Sequence, residues 1–190
     1  MPDRELLERK LPRSFYNRDT ILVAKELLGK YLVHASGGVE RTGRIVEVEA
    51  YLGPHDLAAH SSKGLTERTK IMFGPAGHAY VYFIYGMYYC MNVVTQPEGH
   101  ASAVLLRALE PVKNIAGRTQ GPGLLCKAMR VDKRLNGHDL LSDDFYIAAP
   151  SKAEPFVIAK APRIGVDYAR HWARRHLRFY IKGNPFLSRQ

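Results

Sequence analysis

Covalent cross-linking has little to work with in this 190-residue chain, which holds only two cysteines. Cys90 and Cys126 both sit among apolar neighbours, so they read as buried thiols of a reducing compartment rather than a disulfide framework. Neither has a second cysteine nearby. His55 and His60 are five apart, with no Glu after His55, which is not the i, i+4 spacing of a metal-binding helix. No metal and no cofactor is therefore expected. A phosphate loop of the Gly-x4-Gly-Lys-Ser/Thr type is missing too. No apolar run approaches the roughly 20 residues of a membrane span. The start, Met1-Pro2-Asp3-Arg4-Glu5, is charged and lacks the apolar stretch of a signal peptide. With no targeting signal, the expected location is the cytoplasm or nucleoid, or the nucleus if the source is eukaryotic. Acidic residues are the last scarcity: 18 Asp plus Glu face 28 Lys plus Arg, a formal net charge of +10. That imbalance points to a polyanionic partner. A membrane surface is the competing partner, but no basic amphipathic helix with a lipid-facing stripe stands out.

The order of segments predicts one α+β domain over residues 1–190, with a curved, mainly antiparallel sheet and peripheral helices. Asp19-Thr20 caps a helix that runs to Leu28, with Gly29 as its stop. Strands are expected from Lys30 to Ala35 and, after Gly37-Gly38, from Arg41 to Leu52. Pro54 to Ser61 reads as a short helix or ordered loop. A strand from Ser102 to Leu109 closes at Glu110-Pro111. Gly121-Pro122-Gly123 opens a helix of Leu124 to Val131, a weak candidate for holding a phosphate on its amide groups. Strands near Phe145 to Ala148 and Phe156 to Ala159 precede a basic helix from Asp167 to His176 and a closing segment from Leu177 to Ile181. No repeat, low-complexity tract or linker interrupts the chain.

What the chain has in excess is tyrosine in one place. Ala79 to Asn92 holds five of the 11 tyrosines. Its Tyr, Phe, Val and Ile residues favour a pleated surface, and Gly86 marks a reversal. The reading is a protruding β-hairpin with Tyr85 and Met87 at its tip, suited to wedging into or stacking against nucleobases. A Tyr-rich core strand is the equally weighted alternative from this stretch alone. Basic residues Lys127, Arg130, Lys133 and Arg134, with Arg170, Arg174, Arg175 and Arg178, suffice for a phosphate-tracking surface.

Period-two geometry places Glu47, Glu49 and Tyr51 on one face of their strand, and Val46, Val48 and Ala50 on the other. A Glu in mid-strand is usually on a solvated face. Two carboxylates on a protein with an anionic partner repel that partner, however, and activation of water as general base is the commonest reason to keep one. Arg107, a cation within the apolar run Ala103 to Leu109, needs a buried partner. Glu47 or Glu49 can serve, in a catalytic pair or a purely structural one.

Taken together, several motifs resemble those of the alkyladenine DNA glycosylases, also called 3-methyladenine or methylpurine DNA glycosylases. They are Glu49-Ala50-Tyr51-Leu52-Gly53, Ala58-Ala59-His60-Ser61, Met72-Phe73-Gly74-Pro75 and the hairpin Tyr80 to Asn92. Leu106 to Pro111, Gly121-Pro122-Gly123, Arg163-Ile164-Gly165 and Arg178-Phe179-Tyr180 continue the match, so it spans about Leu11 to Ser188. The resemblance implies a monomeric, monofunctional base-excision-repair enzyme acting on double-stranded DNA that contains damaged purines. Those purines are 3-methyladenine, 7-methylguanine, hypoxanthine and ethenoadenine. Glu49 would activate the hydrolytic water with Arg107 helping to hold it. Tyr51 would stack on one face of the flipped base, and His60 and Tyr82 on the other. Tyr85 would fill the gap in the duplex with Met87 beside it, Asn92 would form the pocket floor, and the backbone near Ile164 would contact the water. Three departures stand out: Thr69 replaces the usual Asn after Arg68, Leu124 stands where Lys is common, and the segment between Pro111 and Gly121 is short.

The implied chemistry fits the residues. Cleavage of an N-glycosidic bond passes through an oxocarbenium-like sugar, which a carboxylate stabilises while it orients water. Extruding the base costs a few kcal/mol, least for weakly paired lesions. An aromatic sandwich favours a cationic alkylated purine by about 0.5–2 kcal/mol. The rivals are a non-catalytic nucleic-acid-binding module of the same fold, and a bifunctional glycosylase/lyase using the amine of Pro2.

Overall fold

In the computed structural model, which describes residues 7–189, nine strands form one antiparallel sheet. Pro2, the candidate amine nucleophile, lies outside the described residues. The strands are β1 (Leu7–Lys10), β2 (Tyr31–Ser36), β3 (Val39–Tyr51), β4 (Ala79–Ile84), β5 (Tyr88–Thr95), β6 (Ser102–Lys113), β7 (Phe145–Pro150), β8 (Ile158–Ala161) and β9 (Arg178–Ile181). Their order is β1-β7-β2-β3-β6-β5-β4, with β9 on β3 and β8 on β9. The helices α1 (Arg13–Tyr16), α2 (Thr20–Leu27) and α3 (Pro122–Met129) are peripheral. No helix among the described residues is long and apolar enough to cross a membrane.

The 13-residue β3 organises this sheet. Its first half pairs with β2, β6 flanks it along most of its length, and Glu47–Glu49 also pairs with Tyr180, Phe179 and Arg178 of β9. Val46, Val48 and Ala50 enter the main core with α2 residues Val23, Ala24 and Leu27. The opposite face is not solvated: Glu47 and Glu49 are both fully buried. The expectation of a core face and a chemically distinct face holds, but that second face is covered, by Arg107, Arg178 and Ser188 around Glu47 and by Tyr51 and Ile164 around Glu49. Register shifts on either side of Glu47 mark an irregular ladder there.

Several boundaries differ from the sequence reading, for local reasons. β6 continues through Glu110-Pro111 to Lys113, because Pro111 meets Gly43 at a register shift where the ladder is already interrupted. The expected strand at Phe156 begins instead at Ile158, as the partner of Ile181. The expected helix from Asp167 to His176 is a 3₁₀ segment, Asp167–Arg174, broken where Arg170 adopts φ 55° and ψ −132°. Within Pro54 to Ser61, regular structure appears only at its end, as a 3₁₀ turn over His60–Lys63.

The hairpin of β4 and β5 is present, with Ile84 opposite Tyr88. At its tip the Met87 N–H donates to the Ile84 carbonyl at 3.2 Å, around Tyr85 at φ 54° and Gly86 at φ 62°. Two successive positive φ values favour Asn and Gly at these positions. A tyrosine there costs roughly 1–2 kcal/mol of backbone strain. Tyr85 is 82% exposed and Met87 68%. A side chain that strains its backbone and buries little surface does not stabilise the fold.

Candidate active site

A cleft of about 630 Å³ opens where the C-terminal end of β3, the hairpin, β6, the start of α3 and the Ile164–Tyr168 loop converge. Of the sequence-predicted residues, Glu49, Arg107, Tyr51, His60, Tyr82, Asn92, Ile164 and Tyr85 all line it. Met87 does not; it projects at the hairpin tip beyond the cleft. Glu47 is also outside the lining. Glu49 is the only carboxylate among the lining residues, which makes it the one acid able to meet an occupant.

The two buried carboxylates divide cleanly by their partners. Glu47 accepts hydrogen bonds from Arg107 Nε at 3.2 Å, Arg178 Nη1 at 3.3 Å, the Ser188 N–H at 2.7 Å and Ser188 Oγ at 2.8 Å. It is saturated, and it ties β3, β6, β9 and the C-terminal segment together. Arg178 is buried in this cluster, so it is not part of the basic surface assigned to it from the sequence. Glu49 accepts from Tyr51 Oη at 2.8 Å and from the Ile164 N–H at 2.7 Å, with Arg107 Nη1 at 3.6 Å. Desolvation raises its pKa above the ordinary 4.5, although Arg107, the Ile164 amide and Tyr51 oppose the shift. A carboxylate held ionised by few partners, in a place that penalises its charge, is a competent base.

The aromatic walls are positioned by polar groups that the sequence did not reveal. Asp56 and Arg163, both fully buried at their side chains, form a bidentate pair at 2.6 and 2.9 Å. Asp56 also accepts the N–H groups of Leu52 and Ala58, fixing the loop after β3. Arg163 Cζ lies 4.7 Å from the Tyr51 ring centroid. The only sequence signal was an Asp within the Gly-Pro-rich stretch Gly53 to Asp56. On the other wall, His60 and Tyr82 pack with ring centroids 4.5 Å apart. His60 Nδ1 meets Tyr80 Oη at 3.0 Å, and Arg68 Cζ lies 5.5 Å from the Tyr82 ring centroid. Burial first, and the Arg68 charge second, lower the His60 pKa to about 4, so the imidazole is neutral at physiological pH.

Asn92 is buried, and its Nδ2 donates to the Tyr80 carbonyl at 3.2 Å, which fixes the amide's orientation. The free thiols Cys90 and Cys126 are both buried, and Cys90 lines the cleft. Tyr168, Arg118 and Tyr88 line it as well, none of them singled out by the sequence. Thr69 replaces the usual Asn in a self-contained turn: its Oγ1 accepts from the Thr66 N–H at 2.9 Å and donates to the Gly64 carbonyl at 2.8 Å. Leu124 lines the cleft beside the α3 N-terminus, and the short 114–120 segment carries no helix. Outside the cleft, Lys127, Arg130, Lys133, Arg170, Arg174 and Arg175 are exposed, while Arg134, also exposed, is paired with Asp132 at 2.8 Å.

A single carboxylate in a largely aromatic cleft, an exposed hairpin tip beside it and a basic surface together fit the class of DNA N-glycosylases. Residues 14–185 match the family model of methylpurine-DNA glycosylase, and the chain belongs to that family. A protein of Legionella pneumophila (strain Corby) is 73% identical over 181 residues, covering 95% of this chain and 99% of its own. One from Anaeromyxobacter sp. (strain Fw109-5) is 56% identical over 182 residues, covering 95% and 93%. One from Myxococcus xanthus (strain DK1622) is 49% identical over 181 residues, covering 94% and 93%. All three carry the name "Putative 3-methyladenine DNA glycosylase".

Proposed function

We propose that this protein, acting as a single domain and a monomer, removes damaged purines from double-stranded DNA by flipping the base into the cleft and hydrolysing its N-glycosidic bond with water. The observation that carries the reading is Glu49, the one carboxylate lining a cleft of aromatic and apolar residues, on the same strand as Tyr51 and two residues from it. The Ile164 amide and Tyr51 hydroxyl hold the carboxylate in one orientation. Its negative charge takes the water's proton and faces the developing oxocarbenium sugar, while Arg107 keeps it ionised before reaction. Tyr51 stacks on one face of the purine, and His60 and Tyr82 on the other. Asn92, fixed at the floor, disfavours the exocyclic amino group of guanine. Tyr85 enters the space left in the duplex with Met87 beside it, which gives its strained backbone a purpose. The exposed cations of 127–134 and 170–175 track the phosphates.

The substrates that fit this reading are 3-methyladenine, 7-methylguanine, hypoxanthine and ethenoadenine, each a purine with a labile bond or weakened pairing. Duplexes carrying each lesion, incubated with the protein, test it through release of free base and formation of abasic sites. Release of at least one is expected. Tight binding to all of them with no base released would make the chain a non-catalytic DNA-binding module.

A further inference from the structure

Each tyrosine of the cleft's two aromatic walls has a guanidinium behind it. Arg163 Cζ lies 4.7 Å from the Tyr51 centroid and Arg68 Cζ 5.5 Å from that of Tyr82, and neither arginine lines the cavity. The two are not electrically equivalent. Arg163 is neutralised by its bidentate partner Asp56. Arg68 is exposed, and no described carboxylate pairs with it; its neighbour Glu67 is engaged with Lys70 at 2.8 Å. Arg68 therefore places a full positive charge behind the Tyr82–His60 wall.

We propose that Arg68 is a specificity-determining residue, biasing the cleft against cationic purines and toward neutral ones. The inference rests on the reading that a flipped purine stacks against Tyr82. A ring attracts a cation to its face through its quadrupole, and a second cation on the opposite face meets a ring already polarised by the first. The two charges also repel directly. Stacking adds about 3.5 Å to the 5.5 Å between Arg68 and the ring, so a cationic base would sit about 9 Å from the guanidinium. Between water-like and protein-like screening, that repulsion corresponds to about a 2- to 20-fold loss in binding, and the exposure of Arg68 favours the lower end. The same field acts on His60, whose proton is disfavoured in part by Arg68. The aromatic sandwich alone would prefer charged bases; Arg68 offsets that preference so that neutral lesions compete.

The test compares single-turnover release of 7-methylguanine, which is cationic, and hypoxanthine, which is neutral, from one duplex context. Arg68→Gln keeps a polar side chain and removes the charge; Arg68→Lys keeps the charge. The ratio of 7-methylguanine to hypoxanthine release should rise at least about twofold in Arg68→Gln and stay near the parent's in Arg68→Lys. In the DNA-free protein, the His60 imidazole resonances should titrate above the parent midpoint of about 4 in Arg68→Gln alone. An unchanged ratio in Arg68→Gln, or an equal rise in both variants, overturns the proposal while leaving the glycosylase reading intact. If the parent releases neither base, that reading fails and this one falls with it.

Discussion

Replacing Glu47 should damage the fold far more than replacing Glu49, although both carboxylates are buried on the same strand. Glu47 Oε1 accepts from Arg107, Arg178 and Ser188 Oγ, and Oε2 accepts from the Ser188 N–H. In Glu47→Gln one oxygen becomes an NH2 group that must face a donor, and two buried guanidiniums lose their shared counter-charge. Breaking a buried pair from one side costs about 3–5 kcal/mol. For a chain of this size, that corresponds to a fall in Tm of roughly 6–20 °C. Glu49→Gln loses a charge whose burial is already unfavourable, as its raised pKa records, and keeps acceptors for Tyr51 or Ile164. Its cost should be below about 1 kcal/mol, and a gain is consistent with the same physics. Urea unfolding at pH 7, with equal m-values across parent and variants, measures both. If Glu47→Gln costs under about 1 kcal/mol, or less than Glu49→Gln, the division into anchor and reactive carboxylate is wrong.

Tyr85→Asn should preserve or raise stability, since Asn tolerates the positive φ that strains Tyr85. It should weaken binding to lesion duplex by roughly 5- to 150-fold, the equivalent of about 1–3 kcal/mol of lost stacking; unchanged affinity would show that the tip does not intercalate. Affinity for undamaged duplex should fall steeply between low and physiological salt through counterion release, and a flat response would argue against a phosphate-tracking surface. Base release should survive chelator, and borohydride should trap no protein–DNA adduct; a trapped adduct would indicate an amine nucleophile such as Pro2. In pH profiles, Glu49 must be ionised to act, so the acid limb of single-turnover release should lie above the ordinary 4.5, and a limb below it would contradict the burial argument. Stability carries two opposite slopes. His60, at about 4 when folded and 6.5 when unfolded, makes the unfolded state bind more protons, so its contribution rises with pH through that window. Glu49, raised when folded, makes its contribution fall as pH rises above 4.5. Glu49→Gln should therefore steepen the increase in urea midpoint between pH 4 and 6.5, and a flattened profile would refute the assignment.

The parts of the fold legible in the sequence were those set by local pattern. The hairpin followed from alternating aromatics about Gly86, and the capped α2 followed from Asp19, whose side chain accepts the Leu22 N–H at 3.0 Å. The grouping of Glu49 with Tyr51 needed only the period of a strand. What stayed hidden depends on distant partners. Nothing local says that β9 pairs with Glu47–Glu49, which makes Arg178 internal, or that Ser188 and Ile164 fold over the two carboxylates and bury them. The Asp56–Arg163 pair spans 107 positions and has no spacing signature. Segment Asp167 to His176 has helical composition, but Arg163 contacts the Trp172 carbonyl at 3.4 Å and the chain breaks at Arg170, so tertiary contacts override propensity.

The most direct test of the central claim is the single-turnover rate of base release by Glu49→Gln, measured with saturating protein on a lesion duplex that the parent cleaves. The variant should fold, bind that duplex at least as tightly, and release base at least about 100-fold more slowly, the scale expected when a preorganised charge leaves a reaction centre. Glu47→Gln, measured at a temperature where it remains folded, should retain more activity than Glu49→Gln. A Glu49→Gln rate close to the parent's, or an inactive Glu47→Gln beside an active Glu49→Gln, would contradict the account.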